Sequence, residues 1–206
     1  MSDSAIRIAF LWWLGVCAFC SCALAQTNPD TPEPTGELGF HYAYNSLQTS
    51  QTGESNQSGG SVYSEYFFRG TNPHFRGRSR FGLIADFSGS GSGSGSLYTF
   101  MFGPRLSTEW RKSHLVLYAE YKIGASHVRV NGVNAAGSQV SLTRNGFAWE
   151  FANVGLDLRV GQHYVVTLLQ TEFLSTPVPD VASGGSHWQP DMRVSAGIGY
   201  RFGDRH

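Results

Sequence analysis

The sequence predicts an all-β protein, an eight-stranded antiparallel transmembrane β-barrel built as an up-and-down meander. Three observations predict it. Segments in which apolar residues alternate with polar or small ones recur along the chain, as in "DMRVSAGIGYRF" (Asp191–Phe202). Long polar connections alternate with short ones, which is the loop-and-turn layout of a membrane barrel. An N-terminal apolar segment that ends in small residues marks the chain for export.

The export segment comes first. Arg7 precedes "IAFLWWLGVCAF" (Ile8–Phe19), and Ala23 and Ala25 occupy small-residue cleavage positions. A signal peptide spanning Met1–Ala25 is expected, with cleavage after Ala25. Its apolar run is short of the roughly 20 residues that a spanning helix needs. Cys17, Cys20 and Cys22 are the only cysteines and lie inside it, so the mature chain is expected to have neither disulfides nor thiolate metal ligands. Gln26–Gly36, with Pro29, Pro32 and Pro34, reads as a flexible periplasmic leader. The barrel domain is expected over Glu37–His206.

Each strand follows from its alternation. Strand one, about Leu38–Asn45, sets Leu38, Phe40, Tyr42 and Tyr44 against Gly39, His41 and Ala43. Strand two, about Gly60–Arg69, sets Val62, Tyr66 and Phe68 against Glu65 and Arg69. Strand three, "RFGLIADF", sets Phe81, Leu83, Ala85 and Phe87 against Gly82, Ile84 and Asp86. Strand four, "LYTFMFGPRL", sets Tyr98, Phe100 and Phe102 against Thr99, Met101, Gly103 and Arg105. Strand five, about Leu115–Ala125, sets five apolar residues against Glu120 and Lys122. Strand six, about Phe147–Arg159, sets Ala152, Val154, Leu156 and Leu158 against Asn153, Gly155, Asp157 and Arg159. Glu150 falls on its apolar face, which calls for a bulge or a position beyond the membrane. Strand seven, about Tyr164–Leu174, places Gln170 and Glu172 on the polar face. Strand eight sets Met192, Val194, Ala196, Ile198, Tyr200 and Phe202 against Arg193, Ser195, Gly197, Gly199 and Arg201.

The connections Ser46–Gly59, Ser88–Ser96, His127–Asn145 and Ser175–Gln189 are long and polar; those near Gly70–Arg78, Trp110–His114 and Val160–His163 are shorter. "SGSGSGSGS" (Ser88–Ser96) lacks the G-x-G-x-x-G spacing and a following helix, so it is not a phosphate loop. Flanked by two alternating strands, it reads as a flexible hairpin loop.

Alternation alone does not choose between a soluble and a membrane barrel. The polar faces collect charges of both signs: Glu65, Asp86, Arg105, Glu120, Lys122, Asp157, Arg159, Arg193 and Arg201. Turned inward they can satisfy one another, whereas each Arg or Lys facing lipid costs about 2–4 kcal/mol at mid-membrane. Aromatics form two girdles: Tyr44, Phe87, Tyr98, Trp149 and Phe173 at the long-loop end, and Phe81, Trp110, Tyr164, Tyr200 and Phe202 at the short-turn end. These features expect an interior charge network, a lipid-facing exterior and a place in the bacterial outer membrane. Eight strands leave an interior that side chains can fill, so no open pore is expected.

"VSAGIGYRFG" (Val194–Gly203) and "FMFGPRLS" (Phe100–Ser107) resemble segments of the OmpA-like family of small outer-membrane β-barrels. The resemblance covers most of the mature chain as a pattern and these stretches as sequence. It implies that the barrel-assembly machinery recognises the last strand through its terminal aromatic, here Phe202 with Tyr200. Gly203–His206 follow that aromatic, where many relatives end on it. Pro104 is unusual inside a strand of a closed barrel and calls for a bulge or a rim position.

The charge balance, 15 Lys+Arg against 15 Asp+Glu, argues against a nucleic-acid partner. Seven scattered histidines show no i, i+4 pair, so no metal or other cofactor is expected. Small outer-membrane barrels include lipid A deacylases, which use a His and a Ser two residues apart; neither H-x-S nor G-x-S-x-G occurs here. The expectation is a non-enzymatic barrel in outer-membrane lipid with a structural or surface-interaction role. A soluble lipocalin-like barrel with an apolar ligand is the alternative, although the mature chain lacks that family's G-x-W; an envelope-lipid-modifying barrel enzyme is the other.

Overall fold

The computed structural model describes residues 33–49, 53–68, 79–109, 114–133, 136–181 and 184–205. The signal segment and most of the leader lie outside the described residues. Eight strands follow one another: β1 (Glu33–Thr49), β2 (Gly53–Phe67), β3 (Ser79–Ser92), β4 (Gly95–Glu109), β5 (Leu115–Val133), β6 (Gln139–Val160), β7 (Tyr164–Pro179) and β8 (Ser186–Arg205). Each pairs antiparallel with the next, and β8 pairs with β1 to close the barrel.

The alternation decides which way each side chain points. On β8, Met192, Ile198, Tyr200 and Phe202 face out, with Ile198 64% exposed, while Arg193, Ser195 and Arg201 are buried inside. The outward set repeats on every strand as a belt of Leu, Val, Ile, Phe and Tyr. Met192 and Phe202 are ten residues apart, which at about 3.3 Å per residue and a tilt of about 40° spans about 25 Å, the height of a membrane barrel's apolar band. Both girdles face outward among the described residues; Trp110 lies outside them. The lumen side is polar through most of the barrel, so the soluble reading, with apolar faces turned inward, does not hold.

The strands are longer than the alternation suggests, and this corrects the loop expectations. The pairing of β1 with β2 runs to Thr49↔Gly53, of β3 with β4 to Ser92↔Gly95, of β5 with β6 to Val133↔Gln139, and of β7 with β8 to Pro179↔Ser186. The expected long loops are largely ladder. The serine–glycine run shows why: its two-residue period is itself strand chemistry. Ser88 and Ser90 point inward, and only Gly93–Ser94 make the turn. Ser88 shares a hydrogen bond with Thr99 (2.6 Å). Ser90 accepts from Asn45 (2.8 Å) and donates to Gln57 (3.0 Å). Gly89 faces outward beneath the Tyr98 ring, where a Cβ would press on the ring carbons.

The expected leader is also shortened. β1 starts at Glu33, because the residues after Phe202 supply a partner: Glu33 pairs with Arg205, and the Thr35 hydroxyl donates to the Gly203 carbonyl (2.6 Å). At Pro104 the β4–β5 ladder skips from Phe102↔Ile123 to Arg105↔Glu120 without a change of register: a proline without an N–H leaves a local gap in the pairing, with neither the expected bulge nor a rim position. Two bulges reset the alternation. On β6 the register shifts between Phe151 and Val154, Ala152 takes a positive φ of 54°, and Glu150 and Asn153 both turn inward. On β7 a shift between Thr167 and Gln170 leaves Leu168 and Leu169 both facing out.

Candidate functional site

The lumen contains an ionic network to which every strand contributes. β1 gives Glu37, β2 Glu65, β3 Asp86, β4 Arg105, β5 Glu120 and Lys122, β6 Glu150 and Asp157, β7 Glu172, and β8 Arg193 and Arg201; all are buried. Inward alternate positions on eight strands converge on one narrow axis, so residues distant in sequence meet there.

Three cations organise the middle. Arg105 reaches Glu65 (3.0 Å), Glu120 (3.3 Å) and Asp157 (2.9 Å), and its guanidinium lies 3.6 Å from the Tyr118 ring centroid. Lys122 lies 3.3 Å from Glu120 and 3.2 Å from Glu150. The Asn153 amide donates to the same two carboxylates, at 2.6 Å each. Arg193 pairs with Glu172, donates to Ser88 (2.8 Å), and comes within 3.7 Å of Glu150 and 3.9 Å of Asp86. Nearer the termini, Arg201 donates to Glu37 (2.6 Å), which also accepts from the Tyr63 hydroxyl (2.6 Å). Among the described residues, buried carboxylates outnumber buried cations, and each central cation is shared among several.

Of the nine residues expected in the network, eight are buried in the lumen: Glu65, Asp86, Arg105, Glu120, Lys122, Asp157, Arg193 and Arg201. Arg159 stands at the terminal rim instead, half-buried, donating to both oxygens of Glu109 (2.8 and 3.0 Å). Glu37, Glu150 and Glu172 join the network without having been counted in it. Alternation puts Glu172 on the polar face of strand seven and Glu37 on the inward period of its strand; Glu150 turns inward through the bulge that its place on the apolar face calls for. Tyr63 and Tyr118 fill the space over Gly39 and Gly155, where no Cβ intervenes. Tyr200 and Phe202, the expected assembly signal, both face outward on β8.

Towards the hairpin end the lumen turns apolar. Leu97, Met101, Val128, Val130, Ala148, Leu174 and Val178 form one cluster, with Val181 packed on it. The outer face of the wall turns polar at the same height: Arg129 donates to Ser141 (2.8 Å), and His127 is hydrogen-bonded to Asn145 (2.6 Å). Among the described residues no group of three or more His, Cys, Asp and Glu is placed to hold a metal ion.

A closed eight-stranded meander with an apolar belt outside and an ionic network inside is a small transmembrane β-barrel of the outer-membrane type, the class implied by the OmpA-like resemblance. No family model and no curated protein matches the chain. Among solved structures it is similar to Ail, the attachment invasion locus protein of Yersinia pestis, seen in complex with the heparin analogue sucrose octasulfate. The identity is 16%, the TM-score 0.51, and the match covers 82% of this chain and 99% of Ail. The N-terminal β-barrel domain of Pseudomonas aeruginosa OprF also matches, at 10% identity and TM-score 0.40, over 82% of this chain and 100% of that domain.

Proposed function

We propose that this protein is delivered by a cleaved signal peptide to the bacterial outer membrane, where it acts through the hairpins it displays rather than as an enzyme or an open pore. The observation that carries this reading is the filled lumen: the ionic network leaves the strand ends as the surface on which a partner could act. Both termini then lie on the periplasmic side, and the hairpins of β1–β2, β3–β4, β5–β6 and β7–β8 outside. Tyr200 and Phe202 serve the barrel-assembly machinery during insertion.

The β5–β6 hairpin gives the interaction role its chemistry. Between Gly124 and Gly146 it carries Arg129, Arg144 and His127 and no Asp or Glu. Its exposed Asn, Ser, Thr and Gln side chains add hydrogen-bonding groups. Such a surface suits anionic saccharides, in keeping with the sulfated sugar seen on Ail. The first experiment is a denaturing gel of the extracted membrane fraction, boiled and unboiled. A mobility shift on boiling supports the membrane barrel; soluble protein without a shift defeats it. Retention of the folded barrel on immobilised heparin, weakened by Arg129→Ala with Arg144→Ala, tests the saccharide role. Equal retention of variant and wild type rejects it.

A further inference from the structure

The hairpin end of the lumen has two unlike sides. The apolar cluster is built from β4, β5, β6 and β7, through residues such as Leu97, Met101, Val128 and Leu174. The side formed by β1, β2, β3 and β8 is polar instead. Asn45, Gln57, Gln189 and Asp191 are buried there, 2–5% exposed. Ser90 turns inward beside Asn45 and Gln57. Thr176 of β7, fully buried, joins this group and stands across the ladder from Gln189. Asn45 stands across from Arg193, which places the group next to the ionic network.

The hydrogen bonds of this group use its donors and leave oxygens over. The Asn45 amide donates to Ser90 (2.8 Å), whose hydroxyl donates to Gln57 (3.0 Å). The Gln189 amide donates to Asp191 (3.0 Å). Asn45 Oδ1, Gln189 Oε1 and Thr176 Oγ1 are buried and have no hydrogen-bond partner among the described residues. A buried polar atom without a partner is costly, and these three stand on adjoining strands, β1, β8 and β7. Arg193, the nearest cation along the ladder, is engaged by Glu172, Glu150, Asp86 and Ser88. Buried carboxylates outnumber buried cations among the described residues, so the field inside the lumen favours a positive occupant.

We infer that Asn45, Thr176 and Gln189 form a binding site for a monovalent metal ion, sodium or potassium, inside the lumen. Their oxygens are of the kind that replaces the hydration shell of an alkali ion, as rings of carbonyl oxygens do in selectivity filters. Calcium sites draw on several carboxylates. Here the oxygens are an amide, a hydroxyl and a second amide, with the single carboxylate of Asp191 reached through Gln189. Among the described residues no three His, Cys, Asp or Glu are grouped to hold a metal ion. The bound ion cross-links β1 with both legs of the β7–β8 hairpin, close to the last pair of the β1–β8 ladder, Ser46↔Met192.

The test starts from the barrel folded in zwitterionic phosphatidylcholine vesicles. Its urea midpoint is measured in sodium, potassium and N-methylglucamine chloride at equal ionic strength, the last cation being too large for the lumen. One alkali ion should raise the midpoint above the N-methylglucamine value. Above its dissociation constant, each tenfold increase in that ion should raise the folded-to-unfolded ratio about tenfold. Thr176→Val and Gln189→Met keep the volume and remove an oxygen, and each should abolish most of the ion-specific rise. In crystals of the wild type soaked with thallium(I), an anomalous peak should lie between the three oxygens. Equal midpoints in the three salts would mean that water satisfies these oxygens, and would overturn the site. So would an ion-specific rise that both variants retain, or a thallium map without a peak at the three oxygens. The wild-type salt series and the thallium map decide the matter even if neither variant folds.

Discussion

The lumen changes character along its length, and the change mirrors what surrounds the wall. At mid-depth the outward neighbours of Arg105, Lys122 and Arg193 are apolar: Pro104 and Leu106, Tyr121 and Ile123, Met192 and Val194. Inside there are charges. At the hairpin end the outward neighbours of Val128 and Val130 are His127, Arg129 and Asn131, and inside there is an aliphatic cluster. Where lipid surrounds the strands, an apolar side chain gains little by turning inward, so the polar side chains decide which face is in. Where water surrounds them, ordinary hydrophobic burial applies again. One barrel thus uses two opposite rules, exchanged near the upper aromatic girdle.

The largest expected effect breaks the ionic half. Arg105→Ala leaves Glu65, Glu120 and Asp157 without their shared cation and strips the Tyr118 ring of its partner. Removing one member of a buried charge cluster costs about 3–5 kcal/mol. The urea midpoint of the barrel in vesicles should fall accordingly. Adding Glu65→Gln and Asp157→Asn to Arg105→Ala should recover part of the loss, because fewer buried charges are then unpaired. If the triple variant is no better than the single, packing around the guanidinium rather than charge holds this half together.

The matching change in the apolar half is Leu97→Ala. Leu97 is 2% exposed and sits across the ladder from Val128. A buried Leu→Ala substitution costs about 2–5 kcal/mol through lost burial and the cavity left behind. Water-side burial also carries a heat-capacity signature that charge pairing lacks. The loss from Leu97→Ala should therefore shrink on cooling more than the loss from Arg105→Ala. Equal temperature dependence would contradict the two-rule account.

The ionic half of this contrast was legible in the sequence and the apolar half was not, for several physical reasons. Alternation is readable where its two faces differ, as in Met192–Phe202, and those strands and faces stand as read. It fades in Ser88–Ser92, where both faces are polar or small; in Val128–Val133 and Gln139–Asn145 it persists with its sense reversed, Val and Leu inward and polar residues outward, so these stretches did not match the belt and read as loops although the ladder continues through them. Sequence periodicity shows an inserted residue only by its consequence: Glu150 on the apolar face of strand six called for a bulge, and the shift around Ala152 supplies it and turns Glu150 into the lumen. The inward packing of Pro177 and Val181 depends on Gly146 and Gly132, whose role is space rather than pattern.

Arg159→Ala should have a small effect. Its Nη1 donates to both Glu109 oxygens, but the side chain is 14% exposed at the terminal rim, where water can replace the interaction. Ion pairs with access to solvent contribute about 0–1 kcal/mol. A urea midpoint that falls by as much as that of Arg105→Ala would extend the ionic half to the rim.

Smallest of all should be Ser92→Ala. Its hydroxyl bonds to the Ser94 hydroxyl (2.7 Å) at the tip of the β3–β4 hairpin, beyond the belt and above the apolar cluster. Local bonds of this kind, with water at hand, contribute about 0.5 kcal/mol or less. Ser88→Ala, four residues further in, should cost more, because it removes a partner from Arg193 and from Thr99 at once. Two serines of one low-complexity run should thus differ measurably in the urea midpoint, with the deeper one the greater. If the two variants behave alike, the run acts as the featureless linker its composition suggests, and the strand does not carry the ionic half as far as Ser88.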